Sequence, residues 1–141
     1  MKNVFIWACL LFSISASAQK ISAAKVPNVV TTAFTKLFPG INDAKWELEK
    51  GTYEANFSKA GLKSAATFNK AGNLIETEHD ITIDKLPAEA RSYVDRNLKG
   101  KKIKSASIIE LASGVTNYEA NVGNTDYLFD GTGKFLRTKK D

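Results

Sequence analysis

The stretch ETEHDITID, Glu76 to Asp84, gathers four acids and the chain's single histidine, His79, within nine residues. Carboxylates and an imidazole are donors for calcium or zinc, and a histidine beside acids is a common general base. On a strand, however, side chains alternate, so Glu76, Glu78 and Asp80 share one face while His79 turns away with Thr77 and Ile81. One strand cannot close these groups around an ion, and no metal site or cofactor is assigned. His79 also lacks a nucleophile to activate, since no serine stands in a recognisable nucleophile motif. Glu47 and Glu49 share a strand face, as paired glycosidase carboxylates can, but nearby lysines mark a solvated strand. DGTGK, Asp130 to Lys134, evokes a phosphate loop; it is too short and joins two strands rather than a strand and a helix, so it reads as a hairpin turn. NFS, Asn56 to Ser58, fits a glycosylation acceptor pattern but falls inside a strand. No catalytic residue is assigned, and the chain is read as a non-enzyme.

The elements that carry these residues begin after residue 18. Lys2, an apolar stretch from Val4 to Ile14 and the small residues Ala16, Ser17 and Ala18 form the pattern of a secretory signal peptide, residues 1–18. The run is too short for a retained membrane span, so no stable membrane insertion is expected after cleavage. Cys9, the only cysteine, leaves with this segment, and the mature chain is then stabilised by packing rather than disulfides. The localisation expected is periplasmic or secreted. The 141-residue chain carries 20 Lys and Arg against 15 Asp and Glu, a formal charge of +5. Its densest basic group, Lys99, Lys101, Lys102 and Lys104, follows an expected helix and complements the helix dipole. No basic stripe with interleaved aromatics accompanies it, so nucleic acid is not an expected partner.

Internal echoes organise the rest. TYEANF (Thr52 to Phe57) returns as NYEANV (Asn117 to Val122), Val26-Pro27 returns as Leu86-Pro87, and TFNKAGNLI (Thr67 to Ile75) matches LFDGTGKFL (Leu128 to Leu136). Each proline opens a segment with helical spacing: Val30, Ala33, Phe34, Leu37 and Phe38 in the first, Ala90, Tyr93, Val94 and Leu98 in the second. Gly40 and Gly100 end them. Strand alternation follows, with Trp46, Tyr53, Ala55, Phe57 and Phe68, and later Tyr118, Ala120, Val122 and Phe129, on the face that covers the helices. The expected fold is α+β, a tandem repeat of one helix plus about four antiparallel strands, the two halves packed as one body with their strands in a continuous or side-by-side antiparallel sheet and both helices on one face. The divisions are a short N-terminal segment 19–24, a first repeat 25–84 and a second repeat 85–141.

These items in this order, with Phe38-Pro39-Gly40, Trp46-Glu47, Tyr53-Glu54-Ala55 and the F-x-x-x-G hairpin of Phe68 to Gly72, resemble the PepSY-like family of exported bacterial proteins, also described as β-lactamase-inhibitor-like. The resemblance implies helix-plus-sheet modules that bind or restrain another protein. Two features depart from the known β-lactamase inhibitors: the mature chain has no cysteine pairs, and its open face carries Lys45, Glu47, Glu54 and Asn56 in place of aromatics. A β-lactamase target does not follow.

The expected function is a non-enzymatic exported binding module, inhibitory or regulatory toward a protein or peptide of the cell envelope. The expected partner-binding residues are Lys45, Glu47, Glu54 and Asn56, with Glu119 and Asn121. The alternative is a small-ligand or cation-binding envelope sensor.

Overall fold

A computed structural model describes residues 18–140; the expected signal peptide lies outside the described residues, apart from Ala18. The described elements run β1 (Gln19–Ile21), α1 (Asn28–Leu37), β2 (Lys45–Glu49), β3 (Thr52–Lys59), β4 (Leu62–Phe68), β5 (Leu74–Ile81), α2 (Ala88–Asn97), β6 (Ser105–Leu111), β7 (Thr116–Val122), β8 (Thr125–Asp130) and β9 (Phe135–Lys140). A short 3-10 turn precedes each helix, at Ala23–Lys25 and Ile83–Lys85. All nine strands belong to one sheet ordered β1 to β9, with every neighbouring pair antiparallel.

This corrects the expected α+β tandem of helix-plus-four-strand units. The described chain is mostly β, one continuous sheet with two ten-residue helices. Continuity is decided between β5 and β6, where six residues, Glu76 to Ile81, pair with Leu111 to Ala106. That ladder is at least as long as those on either side of it, so the pairing runs on without a break from β5 into β6. The segment expected to precede the first unit also joins the sheet, because Gln19, Lys20 and Ile21 pair with Leu48, Glu47 and Trp46. The echoes in the sequence record local packing used at two places in one sheet.

Each helix is entered through a buried aliphatic residue, Val26 or Leu86, followed by Pro27 or Pro87 at the N-cap, where a missing N–H leaves no donor unsatisfied. Val30 and Phe34 of α1 seal a cluster with Trp46, Ala55, Phe57, Ala66 and Phe68. Ala90 and Val94 of α2 do the same with Ala106, Ala120, Val122 and Phe129. Small residues in the strands, Ala55, Ala66, Ala106 and Ala120, let the helices approach, while aromatic rings fill the flanks. Phe34 meets Trp46 edge-on at 5.4 Å, and Tyr93 stacks on Phe135 at 4.7 Å. Leu37, placed on the first apolar stripe by its spacing, is 48% exposed at the last turn of α1; Phe38 turns inward instead, against Phe34 and Phe57.

Register shows that both helices lie on the same side. Residues directly opposite in a ladder share a face. The chain of partners Phe57, Ser64, His79, Ile108, Tyr118 and Phe129 runs from the first cluster to the second without changing face. His79 lies midway along that row.

The two hairpins that follow Phe68 and Phe129 are anchored by their aromatic residue and their glycine. Both rings are fully buried. In each turn one side chain oxygen organises the backbone: Asn69 Oδ1 accepts from the N–H groups of Ala71 and Asn73, and Asp130 Oδ1 accepts from those of Thr132 and Lys134. Gly72 (φ +82°) then sits against the carbonyl of Val29 at the start of α1, and Gly133 (φ +92°) against Pro87 and the N–H of Ala90 at the start of α2. DGTGK is a hairpin turn between β8 and β9, and the Thr132 hydroxyl together with backbone N–H groups holds the Asp130 carboxyl below its ordinary pKa.

Candidate functional site

The side of the sheet away from the helices carries the polar residues. By register its rows run Glu47–Glu54–Thr67–Glu76–Leu111, then Lys45–Asn56–Ala65–Glu78–Ile109–Asn117, then Asp80–Ser107–Glu119–Leu128–Arg137, and finally Ser105–Asn121–Asp126–Lys139. All six residues expected to contact a partner lie here.

This face is concave. Four of its residues are as buried as the core although no helix covers them: Ser107 (5% exposed), Asp126 (6%), Ile109 (6%) and Leu128 (7%). Electrostatics across the sheet agree. Seven strand spacings of about 4.8 Å would put β2 and β9 about 34 Å apart in a flat sheet, well beyond the ~10 Å over which charges in water act on one another. Yet Lys139 of β9 lines one cleft with Glu54 and Asn56 of β3, the strand next to β2. Partial burial works to lower its pKa, and the combined fields of Glu119, Glu49, Glu54 and Glu78 outweigh that and raise it. The sheet therefore rolls until its polar face closes into a cleft of about 290 Å³ lined from β3, β4, β5, β7, β8 and β9.

The expected residues divide within this geometry. Glu54, Asn56 and Glu119 line the cleft together. Asn121 joins Glu119 in an adjoining recess with Ser105 and Ser107. Lys45 and Glu47 stand apart, beside Lys20 in a depression at the β1–β2 edge. Asn56 Nδ2 donates to Glu54 Oε1 at 2.9 Å and Asn121 Nδ2 to Asp126 Oδ1 at 2.7 Å, so each Asn of the two YEAN strands orients a carboxylate. The Ser107 hydroxyl donates to Glu78 Oε1 at 2.6 Å across the β5–β6 ladder.

Glu76, Glu78, Asp80, Ser107, Asp126 and Lys139 belong to the same surface and were not among the expected site residues. Alternation alone places Glu76, Glu78 and Asp80 on one face, and a hairpin register carried through Phe68 to Gly72 would have tied that face to Glu54. Burial of Ser107 and Asp126 follows from curvature, which no local pattern carries. Among the described residues no three His, Asp or Glu side chains converge as metal ligands do.

Glu78 and Glu76 have pKa values raised above 4.5, by burial first; for Glu78 the Ser107 hydroxyl works against this and Glu54 adds to it, and for Glu76 Lys139 opposes and Glu54 reinforces it. A raised carboxyl pKa means that the folded state holds protons the unfolded state has already released. Stability is thus lost as pH rises from about 4.5 through the raised values. Glu78→Gln, which keeps an oxygen for Ser107, is expected to raise the melting temperature by a few degrees at pH 7 and to leave it unchanged at pH 4. A variant no more stable than the parent at pH 7 would refute the burial penalty.

No family model matches the chain, and no curated protein matches it. Solved structures do. A Bacteroides eggerthii protein whose name assigns it to the periplasm superposes with a TM-score of 0.70 at 20% identity, over 82% of this chain and 88% of the other. A DUF2874 family protein from Bacteroides ovatus gives 0.68 at 22% identity, over 81% and 86%. A BLIP-like protein from Bacteroides fragilis gives 0.61 at 21% identity, over 81% and 85%. This chain thus shares its fold with the BLIP-like and DUF2874 structures of Bacteroides.

Proposed function

We propose that this chain is a non-enzymatic binding protein of the periplasm, which presents its concave sheet face to another protein and restrains or regulates it. The observation that carries the reading is the concave face itself: a curved, half-buried polar surface reaching from β3 to β9, with its aromatic residues committed to the opposite side. The fold shared with a BLIP-like protein supports it, as does the sequence resemblance to PepSY-like proteins. So does the signal-peptide pattern of the first 18 residues together with the periplasmic names of structural neighbours.

Affinity capture from cell-envelope extract tests this, with the mature protein and its Glu54→Lys/Glu119→Lys variant as paired baits. A protein retained by the first and lost by the second is expected, because two reversed charges in one cleft cost a complementary partner several kcal/mol. Recovery of the same proteins by both baits, or of none by either, would overturn the reading.

A further inference from the structure

The cleft has a sign of charge opposite to that of the chain. The whole sequence is net positive by five, yet the cleft is walled by five carboxylates, from Glu54, Glu78, Asp80, Glu119 and Asp126. Two ammonium groups face them, Lys63 and Lys139. Such segregation on a concave wall focuses the field into the cleft and selects against anionic partners. A volume of about 290 Å³ is at or below the roughly 300–1,000 Å³ of pockets that enclose small-molecule ligands, and suits a side chain entering from outside. The face offers no aromatic platform, since Trp46, Tyr53, Phe57, Phe68, Tyr118 and Phe129 all belong to the helix-side clusters. A cation already reaches the cleft: the Lys139 side chain, projecting from the last strand, lies in the fields of carboxylates from β2, β3, β5 and β7.

Resting on the binding reading of this same face, we propose that the concave cleft recognises a protein segment through a lysine or arginine side chain, which takes up the position beside Glu54 and Glu119 that Lys139 holds in the free protein. Lys139 is then a resident cation that keeps the empty cleft soluble and stable, and that a partner must move aside. Its place on an edge strand makes that movement local, because β9 pairs only with β8.

Fluorescence anisotropy with the folded protein tests the proposal, using as probe a labelled twelve-residue peptide of alternating lysine and threonine and, as control, the same peptide with every lysine acetylated. The lysine peptide is expected to bind, the acetylated one to bind at least about tenfold more weakly, and rising salt to weaken binding. Glu54→Gln/Glu119→Gln, which preserves shape, is expected to lose about tenfold, and Lys139→Gln to gain several-fold, with thermal unfolding confirming that each variant is folded. Equal binding of the acetylated peptide, or no loss in the double variant, would overturn the proposal. No gain in Lys139→Gln would overturn the role given to Lys139. Complete competition by millimolar spermidine or calcium would reassign the cleft to a free cation and overturn its assignment to a protein segment. Charge-sensitive capture from envelope extract without binding of the lysine peptide would sink this proposal and leave the binding function standing; failure of both would sink that function.

Discussion

Phe129→Ala is expected to destabilise the protein by about 3–5 kcal/mol, enough to take a large share of the ~5–15 kcal/mol that holds a typical domain together. The ring is fully buried in the α2 cluster. It meets Tyr93 edge-on at 5.6 Å and Phe135 at 6.1 Å, so truncation removes apolar transfer energy and two aromatic contacts together. Relief by collapse is limited, because its neighbours are already fixed: Ala120 and Val94 are small or β-branched, and the β8–β9 ladder shifts register at Leu128/Phe129. Phe68→Ala should cost a similar amount in the α1 cluster, where the β4–β5 ladder shifts at the same relative place. Urea unfolding followed by both fluorescence and circular dichroism measures this. Because one sheet joins the clusters, each variant should keep a single coincident transition at a lower midpoint. A loss below about 1 kcal/mol, or separate transitions for the two probes, would contradict the packing described.

Gly72→Ala is expected to cost about 2–4 kcal/mol, whereas Gly51→Ala should cost only about 1 kcal/mol. The two glycines have nearly the same left-handed backbone, φ +82° and +81°, so the strain of a Cβ in that region is common to both. They differ in what the Cβ would meet. At Gly51 nothing lies within 4 Å; at Gly72 the Cβ would stand 2.8 Å from the carbonyl oxygen of Val29, a backbone atom that cannot rotate away. The difference between the variants isolates the close seat of the β4–β5 turn under the first turn of α1. Gly133→Ala and Gly114→Ala form a second pair, since Gly133 would bring a Cβ to 2.8 Å from the Ala90 nitrogen and Gly114 meets nothing. Equal losses within either pair, measured by thermal unfolding, would show that the turns do not bear on the helices.

These positions show what the sequence disclosed and what it withheld. Phe68 with Gly72, and Phe129 with Gly133, were visible as an F-x-x-x-G echo because ring burial and turn conformation are decided within five residues. The inward side of YEAN was equally legible, since alternation needs only its own strand: Ala55 and Ala120 are fully buried under the helices. The outward letters, Glu54, Asn56, Glu119 and Asn121, followed from the same rule. The echo misled on fold class, because two helix-plus-strand units were expected where the described chain is mostly β. Two similar stretches imply similar local packing, but whether β5 ends a unit or pairs onward with β6 depends on hydrogen bonds between Glu76–Ile81 and Ala106–Leu111, segments separated by a helix. The cleft was only half visible for a related reason. Its wall is set by the register of six strands and by curvature, so Lys139, which lines the cleft beside Glu54 of β3 from the last strand, carries no mark in its own neighbourhood of the sequence.

The strand order β1 to β9 has a kinetic consequence. Six of the eight ladders close across a tight turn, and only β1–β2 and β5–β6 wait for a helix-bearing connection to be gathered in. Loop-closure entropy is therefore small for most of the sheet, and a low relative contact order places this chain among the faster-folding β proteins, ahead of sandwiches whose strands must find partners from distant parts of the chain.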